Sequence, residues 1–228
     1  MNKRSSVRML VAALGMATAI GASTRPAAAC GDVWVPYMDN GIDYRPQGVS
    51  RAEQGFDDGK IYASAASVLR MMPHVRALKP ASATIVARAQ RMLALAVARS
   101  NGALPVEGQV PWWVQGRWLG GTEADRAANL EWAVTTLRGI ADTKAKDPAS
   151  MTDLGEALAR VDAHKAEARS VLEALAKKDL LATPEAYAAL AELRGESGDA
   201  SGKKLALARC QSMSNGAAVC RDATAHTG

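Results

Sequence analysis

Leu154-Gly155-Glu156-Ala157-Leu158 recurs in altered form as Leu190-Ala191-Glu192-Leu193-Arg194, 36 residues further along the chain. An apolar stretch with helical spacing follows each copy, through Leu172 after the first and Leu207 after the second. Helix pairs that repeat at a period of about 20–50 residues bury their apolar faces against neighbouring pairs, and the resulting array usually provides a binding surface. The repeat therefore predicts an α-solenoid.

The composition also favours helices. Alanine is abundant, aromatic residues make up only 4% of the chain, and alternation typical of a strand is almost confined to Val33-Trp34-Val35. Alanine is the best helix former, and small side chains let helices approach closely. We therefore predict an all-α fold of about four antiparallel helix pairs.

The chain divides into four predicted segments. They are a signal peptide (1–29), an irregular lead-in (30–49), a helical-repeat domain (50–213) and a C-terminal tail (214–228). Ser50 and Glu53 have the spacing of a capping box, so the first repeat helix is expected to begin at Ser50. Residues 101–122, rich in glycine, proline and tryptophan, interrupt the second pair as an insertion.

Helix boundaries can be predicted at several other positions. Thr122 is expected to start the helix after the insertion, Asp147-Pro148 marks a turn, and Thr183-Pro184 combines a cap with a proline at the first helical position. Asn101-Gly102 is expected to end the long helix before the insertion.

The first 29 residues have the three regions of a secretory signal peptide. Lys3, Arg4 and Arg8 are positively charged, residues 9–22 form an uncharged apolar run, and Ala27-Ala28-Ala29 resembles a cleavage site. The apolar run is too short to span a bilayer comfortably. We therefore predict an exported protein, either periplasmic or anchored to an envelope membrane.

Export would remove most of the net positive charge. The whole chain carries 28 basic and 23 acidic residues, a net charge of +5. Lys3, Arg4, Arg8 and Arg25 belong to the signal segment, and their removal leaves 24 basic residues against 23 acidic ones. A nearly neutral chain argues against a nucleic-acid partner, which requires a basic face.

The three cysteines have separate expected roles. Cys30 follows the cleavage site directly, so it is either the lipidated N-terminus of a bacterial lipoprotein or an unmodified thiol after ordinary cleavage. Ala27 stands where the lipoprotein motif usually has leucine. Cys210 and Cys220 are candidates for a disulfide, because exported proteins meet an oxidising compartment. No metal site is expected, because no Cys-x-x-Cys pattern is present.

A small residue follows a leucine at Gly155 and Ala191, an alanine lies early in the next helix at Ala168, and Pro184 stands at a helix boundary. In these features, and in Tyr187, residues 51–213 resemble tetratricopeptide repeats. The resemblance implies a right-handed superhelix of antiparallel helix pairs, whose first helices line a concave groove. A plain helical bundle is the alternative architecture.

The resemblance also implies which side chains face this groove. They are Thr152, Glu156, Ala159 and Arg160 in the third pair, and Ala188, Glu192 and Glu196 in the fourth. This mixed to acidic surface would favour a partly basic or polar peptide. A solvated face with no ligand is the alternative.

Trp112, Trp113 and Trp118 form a tryptophan cluster within the insertion. Exposed tryptophans could stack on a glycan or anchor a protein partner. Buried, they would fill the gap that the insertion leaves. Tryptophan in a Gly/Pro-rich loop on a solenoid more often belongs to such a satellite core.

Catalytic patterns are lacking in the sequence. His74, His164 and His226 have no metal-ligand spacing, and neither a glycine-rich phosphate loop nor a Gly-x-Ser-x-Gly elbow occurs. We therefore predict no enzyme activity and no cofactor. The favoured function is a scaffold that binds an envelope protein or peptide in the groove. The alternative is a glycan- or cell-wall-binding protein that uses the tryptophan cluster.

Overall fold

The computed structural model describes residues 43–78, 84–144, 147–214 and 218–225. All regular elements in these ranges are helices, so the predicted all-α fold class is confirmed. The predicted signal peptide, Cys30 and the lead-in up to residue 42 lie outside the described residues. No helix in the described part of the chain is long and apolar enough to cross a bilayer.

Ten α-helices occur in the described ranges. They span Arg45–Asp57 (α1), Ile61–Met71 (α2), Ile85–Arg99 (α3), Trp112–Gln115 (α4), Glu123–Thr143 (α5), Pro148–Leu158 (α6), Lys165–Ala176 (α7), Pro184–Glu196 (α8), Ala200–Ser214 (α9) and Ala218–Ala225 (α10). Short 3-10 helices span Val75–Ala77, Gly116–Leu119 and Asp162–His164.

Side-chain caps begin three of these helices at the predicted positions. The side chains of Thr122, Asp147 and Thr183 accept hydrogen bonds from backbone amides in the first turns of α5, α6 and α8. Each bond satisfies an amide that has no partner within the helix. Pro148 and Pro184 occupy the first turns, where their missing N–H groups cost nothing.

The predicted end of α3 is also confirmed. Asn101 and Gly102 have positive φ angles of 50° and 83°, and the amide of Gly102 donates to the Val97 carbonyl at 2.9 Å. A Cβ at position 102 would lie 2.5 Å from the carbonyl oxygen of Arg126. Glycine is therefore required both by the backbone conformation and by the close approach of α5.

The predicted start at Ser50 is wrong, because α1 begins at Arg45. Ser50 lies inside the helix and donates its hydroxyl to the Pro46 carbonyl at 2.9 Å. Glu53 bonds Arg88 of α3 rather than capping α1. Proline in the first turn is pre-organised for a helix, and burial of Val49 extends the apolar face of α1 toward its N-terminus. The lead-in therefore stops before residue 45.

The C-terminal tail contains α10, which the sequence analysis did not predict. Cys210 of α9 and Cys220 of α10, the two candidates named from the sequence, form a disulfide with their Cα atoms 5.8 Å apart. α10 also packs on α8. The disulfide therefore fastens the C-terminal helix to the last helix pair.

Consecutive helices pack in pairs: α1 with α2, α3 with α5, α6 with α7, and α8 with α9. The first helices of the pairs also contact one another in succession, α1 with α3, α3 with α6, and α6 with α8. Each second helix touches the first helix of the next pair. This places α3, α6 and α8 at the centre of the described domain, where Leu93, Leu158 and Leu190 are fully buried.

Candidate functional site

The insertion between α3 and α5 is built around Trp118. This side chain is only 5% exposed and meets Trp132 of α5 edge-to-face, with the ring centroids 5.1 Å apart. The Arg76 guanidinium lies 5.1 Å from the Trp118 ring and 5.4 Å from the Trp132 ring. Such cation–π and aromatic contacts fix the position of the insertion against the helices.

Asn129, a fully buried residue of α5, holds both ends of the insertion. Its amide nitrogen donates to the carbonyls of Gly102 at 2.8 Å and Arg117 at 2.7 Å, and its oxygen accepts from Arg76. Burial, and secondarily the nearby Arg117 charge, lower the pKa of Arg76. Leu104 closes the loop by donating its amide to the Trp118 carbonyl at 2.7 Å. The insertion is thus a braced loop.

Trp112 and Trp113 lie on the surface of this braced loop. They are 83% and 55% exposed, whereas Val114 in the same short helix is buried. Successive helical residues project about 100° apart, so α4 can bury Val114 while both tryptophans face solvent. The expectation that the whole tryptophan cluster is buried is therefore wrong. Trp118 belongs to the core, whereas Trp112 and Trp113 do not.

Polar side chains of α2 and of the loop itself donate to backbone carbonyls of the loop. The amide nitrogen of Gln109 donates to the Pro105 carbonyl at 3.2 Å, and that of Gln115 donates to the Val110 carbonyl at 3.0 Å. Arg70 of α2 donates to the Gln109 carbonyl at 2.7 Å. The tryptophan pair therefore stands on a support that α2 and the loop backbone fix.

Four of the predicted groove residues do not reach an open surface. Thr152 and Glu156 are 0% and 1% exposed, and Ala159 and Ala188 are buried as well. Thr152 donates its hydroxyl to the Pro148 carbonyl at 2.7 Å. The prediction that these residues line an accessible groove is wrong, because α3, α7 and α8 all pack against α6.

Glu156 takes part in a buried ion-pair cluster instead. Both of its oxygens bond Arg99 of α3, at 2.7 and 3.1 Å, and Arg99 also reaches Glu185 of α8 at 3.3 Å. Burial alone would lower the pKa of Arg99, but Glu156 and Glu185 outweigh it and raise the pKa. The cluster joins three helices across the centre of the domain.

The other charged groove residues are also paired within the chain. Arg160 donates to Glu192 at 2.9 Å, and Lys165 donates to Glu196 at 2.8 Å. The side chains of Glu192 and Arg160 remain about a quarter exposed, so the pair lies at the surface, but its two charges cancel each other. The mixed to acidic groove is therefore largely neutralised by its own contacts.

The sequence analysis did not identify Arg91 or Arg99 of α3, which pair with buried carboxylates of α6. Arg91 of α3 binds the carboxylate of buried Asp153, with Nη2 and Oδ1 3.1 Å apart. Burial raises the pKa of Asp153 even though its bonds to Arg91 act in the opposite direction. Arg91 and Arg99 lie about two helical turns apart on a helix with a strong apolar stripe, a pattern that could have indicated arginines paired with acids of a neighbouring helix.

The two histidines that the structure describes lie at different short 3-10 segments. His74 is exposed, His164 places Nε2 3.3 Å from Oε2 of Glu131, and His226 falls outside the described residues. In the ranges that the structure covers, no group of three or more His, Cys, Asp or Glu side chains could hold a metal ion.

Comparison with protein-family models, curated proteins and solved structures gives no match for this chain.

Proposed function

We propose that this chain is an exported, non-enzymatic helical-repeat scaffold that binds an envelope protein or peptide, with Trp112 and Trp113 as the anchor of the interface. The observation that carries the proposal is the exposure of two adjacent tryptophans on a braced loop. Tryptophan is enriched among residues that dominate binding energy, where its truncation commonly costs about 2 kcal/mol or more.

The order of helix contacts supports a tetratricopeptide-like array. Each first helix touches its own partner, the next first helix and the preceding second helix. This succession is what stacked antiparallel pairs produce, because each repeat contacts only its neighbours. In such an array the insertion between α3 and α5 projects a recognition loop from one repeat.

The braced loop also favours binding on energetic grounds. A mobile loop loses conformational entropy when a partner orders it, which reduces affinity. Here Trp118, Asn129 and Arg76 hold the loop in place before any partner arrives. Trp112 and Trp113 can therefore enter a partner's pockets with little ordering cost.

A protein partner fits the pair better than a glycan. Adjacent residues of one helix project in different directions, so their rings do not form a single flat stacking platform. Sugar recognition also needs polar groups around the aromatic ring, whereas the Gln109 and Gln115 amide nitrogens bond the loop backbone. Glycan binding through Trp112 remains the second candidate because this ring is 83% exposed.

The test is an in-cell crosslinking pull-down from envelope fractions with the full chain and a Trp112→Ala/Trp113→Ala variant. We expect one dominant protein to be recovered with the native chain, and at least tenfold less of it with the double variant. Leu78→Ala is the matched control, because Leu78 is 42% exposed and lies outside the insertion. Equal recovery by all three chains would contradict the proposal.

The same variants distinguish glycan binding, the second candidate function, from binding of a protein partner. Retention of the native chain on purified peptidoglycan, lost in the double tryptophan variant, would favour the glycan function. Circular dichroism and thermal unfolding should be unchanged in both variants, because the substituted side chains are exposed.

A further inference from the structure

A second surface feature lies among α7, α8 and α9, far along the chain from the tryptophan insertion. It is a cleft of about 350 Å³. Its charged and larger lining residues are Lys177, Asp179, Tyr187, Arg194, Leu205 and Arg209. This volume falls within the range of about 300–1,000 Å³ that ligand pockets usually have.

Cations outnumber carboxylates in this cleft. Lys177, Arg194 and Arg209 line it, against one carboxylate, that of Asp179. Asp179 pairs with Arg209 and accepts a hydrogen bond from the Tyr187 hydroxyl at 3.1 Å. Lys177 forms no ion pair with any residue that the structure describes. The side chains that line the cleft therefore carry more positive than negative charge, and Lys177 is the cation among them without an ion pair in the described ranges.

Arg194 is the most enclosed of these cations. Its side chain is 17% exposed, and Nη1 donates to the Gly202 carbonyl at 3.0 Å. Nε is buried and has no hydrogen-bond partner within the described ranges. An oxygen of Glu173 lies 3.7 Å away, and the same oxygen accepts from Arg169 at 3.1 Å. The Asp199 carboxylate also interacts electrostatically with Arg194, so the feature that Arg194 leaves open is the unused Nε donor.

Leu205 adds an apolar element to the basic cleft. It belongs to α9 and is 67% exposed, the largest exposure among the leucines of the described chain. Ala176 and Ala206 lie beside it in the lining. A ligand that matches this surface needs both negative charge and an apolar group.

We propose that the cleft binds an acidic peptide segment in which an apolar side chain covers Leu205 and flanking carboxylates pair with Lys177 and Arg194. Charge complementarity provides attraction and orientation, and burial of Leu205 provides the apolar contact. A free phosphate would leave Leu205 uncovered. The cleft is separate from the Trp112/Trp113 surface and does not rest on it.

The test is fluorescence anisotropy with the full chain and two labelled peptides that are acetylated and amidated at their ends. The probe has the sequence Asp-Leu-Glu-Leu-Asp, and its matched control is Asn-Leu-Gln-Leu-Asn. We expect at least tenfold tighter binding of the acidic probe at low ionic strength, and a loss of this preference as salt screens the cations. Equal affinity for the two peptides would overturn the proposal.

Substitutions in the cleft test whether the acidic probe binds there. Lys177→Gln and Leu205→Asp should each reduce the affinity for the acidic probe at least fivefold. The first substitution removes a cation, and the second adds a negative charge that repels the carboxylates of the probe. Met213→Asp is the control, since Met213 is on the same helix, 45% exposed and outside the cleft lining. Unchanged binding by Leu205→Asp would overturn the proposal, as would inorganic phosphate that displaces the probe at equal concentration.

The Trp112→Ala/Trp113→Ala variant distinguishes this site from the proposed interface. It should bind the acidic probe as tightly as the native chain does. Loss of probe binding in that variant would place the peptide on the tryptophan surface and refute the cleft.

Discussion

Gly155 of α6 packs directly against α7. A Cβ at this position would stand 2.6 Å from Cδ2 and 2.8 Å from Cγ of Leu172. Leu172 is fully buried, so its side chain has little room to move. The glycine is therefore required by packing, and the small residue that resembles the repeat pattern has a direct physical reason.

Gly155→Ala should lower the free energy of unfolding by about 1–3 kcal/mol, because overpacking forces neighbouring side chains to shift. Gly139→Ala is the matched control: position 139 lies inside α5, and no atom beyond the local backbone of that helix stands within 4 Å of an added Cβ. Alanine there should raise stability by about 0.5–1 kcal/mol through helix propensity. Urea unfolding measures the free energy of unfolding of both variants. A change of the same sign in the two would contradict this account.

At the scale of elements, α10 depends on its attachments. It has eight residues, and isolated helices of this length are marginal in water. The Cys210–Cys220 disulfide and packing on α8 and α9 hold it in place. Stability of this helix therefore comes from tertiary contacts and one covalent bond rather than from its sequence.

Replacing both cysteines by serine should lower stability by about 2–3 kcal/mol, the chain-entropy value for a loop of about ten residues. Thermal unfolding with and without reductant measures the effect. Reductant should lower the melting temperature of the native chain but leave the Cys210→Ser/Cys220→Ser variant unchanged. Hydrogen exchange should become faster in α10 than in α8, and equal protection of the two helices would refute the role of the disulfide.

At the scale of the whole molecule, ion pairs link the first helices in succession. Glu53 of α1 bonds Arg88 of α3, Arg99 of α3 bonds Glu156 of α6, and Arg160 of α6 bonds Glu192 of α8. Breaking a buried pair leaves an uncompensated charge, whereas an exposed pair contributes little. The Arg99–Glu156 pair is the buried member of this series.

Glu156→Gln should lower the free energy of unfolding by about 3 kcal/mol, the lower end of the range for buried pairs, because Glu185 still contacts Arg99. Glu167→Gln is the control, since its pair with Arg138 is 40–46% exposed and should change stability by less than about 1 kcal/mol. Denaturant unfolding of the two variants checks this. Similar losses in both would show that burial of Glu156 is not the deciding factor.

Local chemistry allowed several features to be predicted from sequence alone. Thr122, Asn101-Gly102 and Thr183-Pro184 mark helix ends because caps and turns depend on a few adjacent residues. The helical class follows in the same way from composition and apolar spacing. Ser50 was misplaced as a cap because the helix-starting proline and apolar face lie just before it.

Tertiary structure alone decided which of the predicted site residues are accessible. Glu156 is separated from Arg99 by 57 positions, so no local pattern indicates their pair. Trp113 and Trp118 lie five positions apart in one insertion, yet only Trp118 meets Trp132 and Arg76. Helix boundaries depend on neighbours in the chain, whereas burial and charge pairing depend on neighbours in space, and those exist only once the helices have packed.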